Sequence, residues 1–135
     1  MNWKLILQLS MFGLAMGLAT VFFIPSTIEP AFWLAIFLVS AYLIAKQCAS
    51  KRFLHGLLLG IANSVWITAA HVLLFDRYIA SHAREAEMMK AVPLPPQVMM
   101  IVSGPFAGIV FGAIIGLLAL VAGKVVKKNA IAASA

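Results

Sequence analysis

His71, His82 and Glu85 are the side chains of this sequence best suited to chemistry, because imidazole and carboxylate are the ligands that zinc and similar ions take. His82 and Glu85 stand three residues apart, a spacing that lets two side chains on one helix reach a common point. Asp76 or Glu29 would supply a further carboxylate. Met88, Met89, Met99 and Met100 add thioethers of the kind copper(I) favours. A plainer reading of the same segment is a solvated helix whose methionines fill gaps near an interface. On that reading no metal and no other cofactor is expected.

A second polar group lies inside an apolar run. At 100° per residue, and with Ser64 at zero, His71 falls at about −20°, Thr68 at about +40° and Asn63 at about −100°. Asn63, Ser64, Thr68 and His71 thus share one face, while Leu58, Ala62, Trp66, Ala69 and Leu73 point away from it. A buried amide without partners costs several kcal/mol, so Asn63 must meet protein or water. The sequence predicts that it ties helices together through Thr20 or Ser103; the sharper alternative is that this face lines a polar cavity. Catalytic groupings are sparse. No nucleophile with an adjacent base, phosphate loop or carboxylate dyad is present, and only His71 with Asp76 resembles an acid and base pair. His55 and His71 lie about 24 Å and 160° apart on one helix, so they cannot grip a haem between them. An enzyme is not expected.

The elements that carry these residues follow from composition. Of 135 residues 64% are apolar and 10% charged, too few charges for an ordinary soluble domain. Apolar runs at about 5–24, 30–47, 53–75 and 97–123 predict four transmembrane helices, each near the ~20 residues that span a hydrocarbon core. The expected fold is an all-α four-helix transmembrane bundle forming a single domain. The six-residue link at 25–30 requires the second helix to return beside the first, with Pro30 in its opening turn and Thr27 or Glu29 near its positive end. Residues 76–92 are rich in helix formers and predict an extramembrane helical segment, closed by the stiff VPLPP string at 92–96. Pro105 is expected to kink the fourth helix, and the NAIAASA tail after Lys128 to fray.

Charge orients this array. Lys4, Lys46, Lys51, Arg52, Lys124, Lys127 and Lys128 mark one side with no acid among them, whereas Glu29, Asp76, Glu85 and Glu87 share the other with Arg77, Arg84 and Lys90. The positive-inside rule then places both termini and the 46–52 loop in the cytoplasm. The formal charge of +6 reads as a basic rim beside anionic lipid headgroups, and nucleic acid is not an expected partner. Cys48 is alone, so no disulfide forms within the chain.

Small residues predict where helices meet. Ser10, Gly13, Gly17 and Thr20 occupy about 80° of the first helix, and Gly104, Gly108, Gly112 and Gly116 recur every four residues in the fourth. Gly56 and Gly60 mark the third. Such ridges let backbones approach closely, within the chain or against another copy or another membrane protein. Gly13, Gly17, Thr20 and Phe23 also align at a constant offset with Gly56, Gly60, Asn63 and Trp66, a weak parallel repeat of two hairpins.

The order of features, with Gly56, Leu57 and Gly60 in the third span, TAAH at 68–71 and HAREAEMM at 82–89, resembles small four-helix bacterial inner-membrane proteins. That resemblance implies a multi-pass inner-membrane location and no particular chemistry. Two functional classes remain. Absence of charge within the spans favours a non-enzymatic accessory or assembly protein acting through its glycine faces, in contact with lipid and with a protein partner or itself. The alternative is a small transporter or metal-handling protein that uses the polar third-helix face and the His, Glu and Met segment. The topology is testable with an impermeant thiol reagent on intact cells in a Cys48→Ala background. Ser81→Cys is expected to label and Ser50→Cys to stay dark until the membrane is opened; the reverse pattern would invert the assignment.

Overall fold

A computed structural model describes the backbone over residues 1–133 and side chains over residues 1–126. Among the described residues the chain is all-helical: α1 (Trp3–Phe22), α2 (Glu29–Gln47), α3 (Arg52–Leu73), α4 (Phe75–Ser81), α5 (Ala83–Lys90) and α6 (Pro96–Ala133). Four of these, α1, α2, α3 and α6, are long and apolar enough to cross a membrane.

Local chemistry sets the ends. The Asn2 carboxamide oxygen accepts from the Leu5 N–H at 3.1 Å and caps α1. Ile28 precedes α2, so Glu29 and Pro30 occupy its first turn, and the Glu29 carboxylate accepts from Trp33 Nε1 at 3.0 Å rather than capping the backbone. Lys51 takes a left-handed φ of 55° to reverse the chain between α2 and α3, a conformation that costs a non-glycine residue energy and makes a tight link possible. Leu74 and His82 each leave helical geometry, which breaks the expected continuation of α3 into α4 and α5 and bends it twice. Pro105 lies within α6 without ending it. α6 runs to Ala133, and residues 134–135 lie outside the described residues.

Packing centres on α3, which is flanked by α6 on one side and α1 on the other, while α2 lies chiefly on α6. The expected first hairpin is therefore open: α1 and α2 scarcely touch although only six residues join them. Nor do the two halves of the weak repeat pack alike, since α3 and α6 are the most closely packed pair.

Glycines decide this arrangement. A Cβ built on Gly56 or Gly60 would fall on the backbone of Gly116 or Gly112; one on Gly112 would come 2.5 Å from the Leu57 carbonyl oxygen, and one on Gly116 2.7 Å from that of Phe53. Gly108 is filled by Ser64, whose Cβ would be 2.7 Å away, and Gly104 by Thr68. The facing residues step by four in opposite directions, the register of two antiparallel helices joined along glycine ridges. On the other flank a Cβ on Gly13 would be 2.7 Å from the Asn63 Cα, and one on Gly17 3.1 Å from the Ile67 Cα. Where lipid removes the hydrophobic drive between helices, such closeness gains dispersion and weak Cα hydrogen bonds.

Leu5, Leu9, Phe37, Ile44, Leu59 and Ile115 form the main apolar core, toward the end of the molecule that carries the basic residues. Val21, Tyr78, Met89 and Met100 form a smaller one at the acidic end. Changing Gly60 or Gly112 to Leu is expected to destabilise the detergent-solubilised protein by more than ~1 kcal/mol, the low end of overpacking costs. Leu117→Ile, at a residue 56% exposed, is expected to be nearly neutral. Thermal aggregation measures both, and equal tolerance would place the ridge elsewhere.

Candidate functional site

Three polar ties hold α1 to α3. The Asn2 N–H donates to His55 Nε2 at 2.9 Å, which places the imidazole proton on Nδ1, where it donates to the Lys51 carbonyl at 2.8 Å. Trp66 Nε1 donates to Ser10 Oγ at 3.2 Å, so this residue, grouped by its angle with the lipid face, reaches back to α1. Thr20 Oγ1 lies 2.8 Å from His71 Nε2 and 2.9 Å from the Met16 carbonyl; with the hydroxyl donating to that carbonyl, the imidazole N–H donates to Thr20.

These ties separate the proposed metal ligands. His71 stacks on Tyr78 with ring centroids 4.0 Å apart, and Tyr78 stacks on His82 at 4.2 Å. The phenol ring is therefore sandwiched between the two imidazoles, and they do not converge. His82 Nδ1 donates to the Tyr78 carbonyl at 3.0 Å; its Nε2 and the Glu85 Oε2 are buried but do not bond each other. Among the described residues no three His, Cys, Asp or Glu side chains are grouped to hold a metal. Of the methionines, Met89 and Met100 are buried in one apolar cluster with Tyr78 and Met99 packs against it, whereas Met88 is exposed. Asp76 is exposed and makes no bond to His71, which is committed to Thr20.

The polar face of α3 divides by neighbour. Ser64 and Thr68 face α6 at Gly108 and Gly104, His71 faces α1, and Asn63 falls between these two directions. Asn63 is 3% exposed, yet neither its Nδ2 nor its Oδ1 has a hydrogen-bond partner among the described residues. The expected ties to Thr20 and Ser103 are not made, because Thr20 is engaged by His71 and Ser103 is exposed. Gly13 makes the room, since the Asn63 Oδ1 lies 2.7 Å from the point a Cβ there would occupy.

A partly open cavity of about 120 Å³ lies between α2, α3 and α6; Asn63 borders it, with its amide oxygen turned to Gly13 of α1. From α3 come also Ser64, Ile67 and Thr68; from α6, Gly108 and Phe111. Trp33 and Phe37 wall the α2 side, with Glu29 at the acidic end. The volume suits about four waters, or an organic group near the size of benzene. The cavity thus presents the Ser64 and Thr68 side of α3, aromatic walls, and the Glu29 residue of α2. That end carries a second acid. Tyr78, in α4, has its phenol held above its usual range, by burial first and then by the carboxylates of Glu85 and Glu29.

Sequence reasoning placed Glu29 at a helix dipole, and did not name Phe37 or Phe111. The signal was present for α2: residues 29, 33 and 37 recur every four positions and so share a face. Compared with known proteins, the chain matches no protein-family model, no curated protein and no solved structure. With the imidazoles held apart, purified protein is expected to take up no stoichiometric zinc or copper(I). A sub-micromolar metal site abolished by His82→Ala would contradict the stacked geometry.

Proposed function

We propose that the chain is a non-enzymatic, multi-pass protein of the bacterial inner membrane, a four-helix bundle with both termini cytoplasmic, that binds a small molecule within the membrane in the manner of a small transporter. The observation that carries this reading is the cavity of about 120 Å³ between α2, α3 and α6, bordered by Ser64 and Thr68 of α3 and by Glu29 of α2. A concave, mostly apolar space with a few polar groups on its wall is the usual form of a small-molecule site. The orientation rests on the charge division, with lipid as the surrounding partner.

The accessory or assembly reading drew its support from glycine faces. Those faces are filled by other parts of the same chain at Gly13, Gly17, Gly56, Gly60, Gly104, Gly108, Gly112 and Gly116, so a partner or second copy would have to dock elsewhere. Metal handling loses its support with the separation of His71 and His82.

Thiol accessibility in lipid nanodiscs tests the cavity. In a Cys48→Ala background Ile67→Cys, on the cavity wall, is expected to react with a small water-soluble methanethiosulfonate at least tenfold faster than Leu59→Cys, which is fully packed. Equal inertness of the two would mean that the polar face is sealed, and would return the assembly reading to first place.

A further inference from the structure

All four Asp and Glu residues lie at one end of the molecule, in α2, α4 and α5, so the cations of the opposite end have no carboxylate side chain to pair with. Lys4, Lys46, Lys51 and Lys124 are exposed there, and their mobile ammonium groups make a diffuse field. Arg52 differs from them. It opens α3, is half-buried, and donates from Nε to the Cys48 carbonyl at the end of α2, at 2.9 Å. Its guanidinium also rests on Gly123 of α6: a Cβ there would be 2.6 Å from Nη1, 2.9 Å from Cζ and 3.0 Å from Nε. Three such similar distances describe a planar group seated face-on, and Gly123 is buried beneath it.

A hydrogen bond at one edge and a glycine under one face thus fix the direction of the fork. Its Nη groups have no acceptor among the described residues, where the one ion pair, Lys90 with Glu87, is at the other end. Lys51 and Lys124 adjoin Arg52 and Gly123 in the chain and bring two more positive charges to the same place. The start of α3 has no side-chain cap and adds the positive end of its dipole. Nothing on the protein side neutralises this charge.

The seat stands at the depth of a bilayer surface. Arg52 is the first residue of one membrane-length helix, and Gly123 is near the end of the apolar run of another. Their chain neighbours Phe53, Leu54, Val121 and Val125 are exposed apolar side chains, as residues facing acyl chains are. Trp3 and Tyr42, exposed near the same ends of α1 and α2, fit an interfacial belt. An anion that meets Arg52 at this depth is held beside hydrocarbon.

We propose that Arg52, seated between the Cys48 carbonyl and Gly123, binds the phosphate group of an anionic phospholipid whose acyl chains lie along α3 and α6. The inference rests on the membrane-spanning reading and is independent of the cavity. The unused Nη groups donate to phosphate oxygens, for which a planar fork is better matched than an ammonium. Lys51 and Lys124 favour a headgroup of net negative charge over a zwitterionic one.

Native mass spectrometry of the full chain in detergent, titrated with phosphatidylglycerol or phosphatidylcholine, tests this. One phosphatidylglycerol per chain is expected to be held about tenfold more tightly than phosphatidylcholine. Arg52→Lys keeps the charge but loses the fork, and is expected to remove most of that preference. Gly123→Ala changes no charge and puts a methyl group where the guanidinium rests; it is expected to weaken phosphatidylglycerol by about threefold or more, with thermal aggregation unchanged. Lys4→Gln, which removes a charge from the same end but outside the seat, is expected to stay within about twofold of the parent protein. A preference lowered as much by Lys4→Gln as by Arg52→Lys would mean a diffuse basic rim and overturn the seat. Binding unchanged in both Arg52→Lys and Gly123→Ala would also overturn it. Displacement of the lipid by inorganic phosphate at equal concentration would give the seat to free phosphate and overturn the lipid assignment. Each of these results leaves the Ile67→Cys test of the cavity untouched.

Discussion

The close approach of backbones along both flanks of α3 is the constraint from which the remaining geometry follows. Gly56, Gly60, Gly108, Gly112 and Gly116 bring α3 and α6 together with almost no side chain between them, and Gly13 and Gly17 do the same for α1. Helices immersed in lipid gain little from hiding apolar surface, so contact distance and hydrogen bonding decide which faces meet. α3 thereby has both of its small-residue faces occupied. α2, whose face carries Trp33 and Phe37, cannot come so near, and it settles on α6. The space it fails to fill beside α3 is the cavity.

The polar residues of α3 are satisfied unequally on its different flanks. Ser64 can return its hydroxyl to the Ile61 carbonyl at 2.8 Å, within its own helix. An asparagine amide has more donors and acceptors than such a local bond satisfies, and Asn63 meets only the bare backbone of Gly13 on the α1 side. Toward the basic end Leu9, Ile44, Leu59 and Ala119 close the interior, while toward the acidic end Glu29 and Glu85 border open space. The interior is thus asymmetric: apolar and shut on one side, acidic and accessible on the other.

Most of the helical layout was legible in the sequence, because run length, proline and charge act locally. The four long helices begin and end within a few residues of the hydropathy boundaries, except where α6 extends past its apolar run to Ala133. The Ser10, Gly13, Gly17 and Thr20 stripe indicated a contact face, but which helix would meet it is a property of three dimensions. Loop length suggested α2, and complementary glycines gave that place to α3. His71, His82 and Glu85 looked like a ligand set because spacing along an ideal helix was extrapolated through Leu74 and His82, where the chain leaves helical geometry. Tyr78 then fits between the imidazoles. Asn63 was conspicuous as a polar residue in an apolar run; its lack of a partner was not, since that depends on Thr20 being taken by His71.

The side chain of Ile67, on the cavity wall, offers the most direct measurement. In protein carrying ¹³C-methyl-labelled isoleucine and reconstituted in nanodiscs, its methyl protons can be observed by NMR for magnetisation transfer from water. Cross-peaks to water at Ile67, absent for the packed Ile44, are the result expected of a cavity that reaches the bilayer interior. An Ile67 methyl that contacts only protein and lipid protons would contradict it.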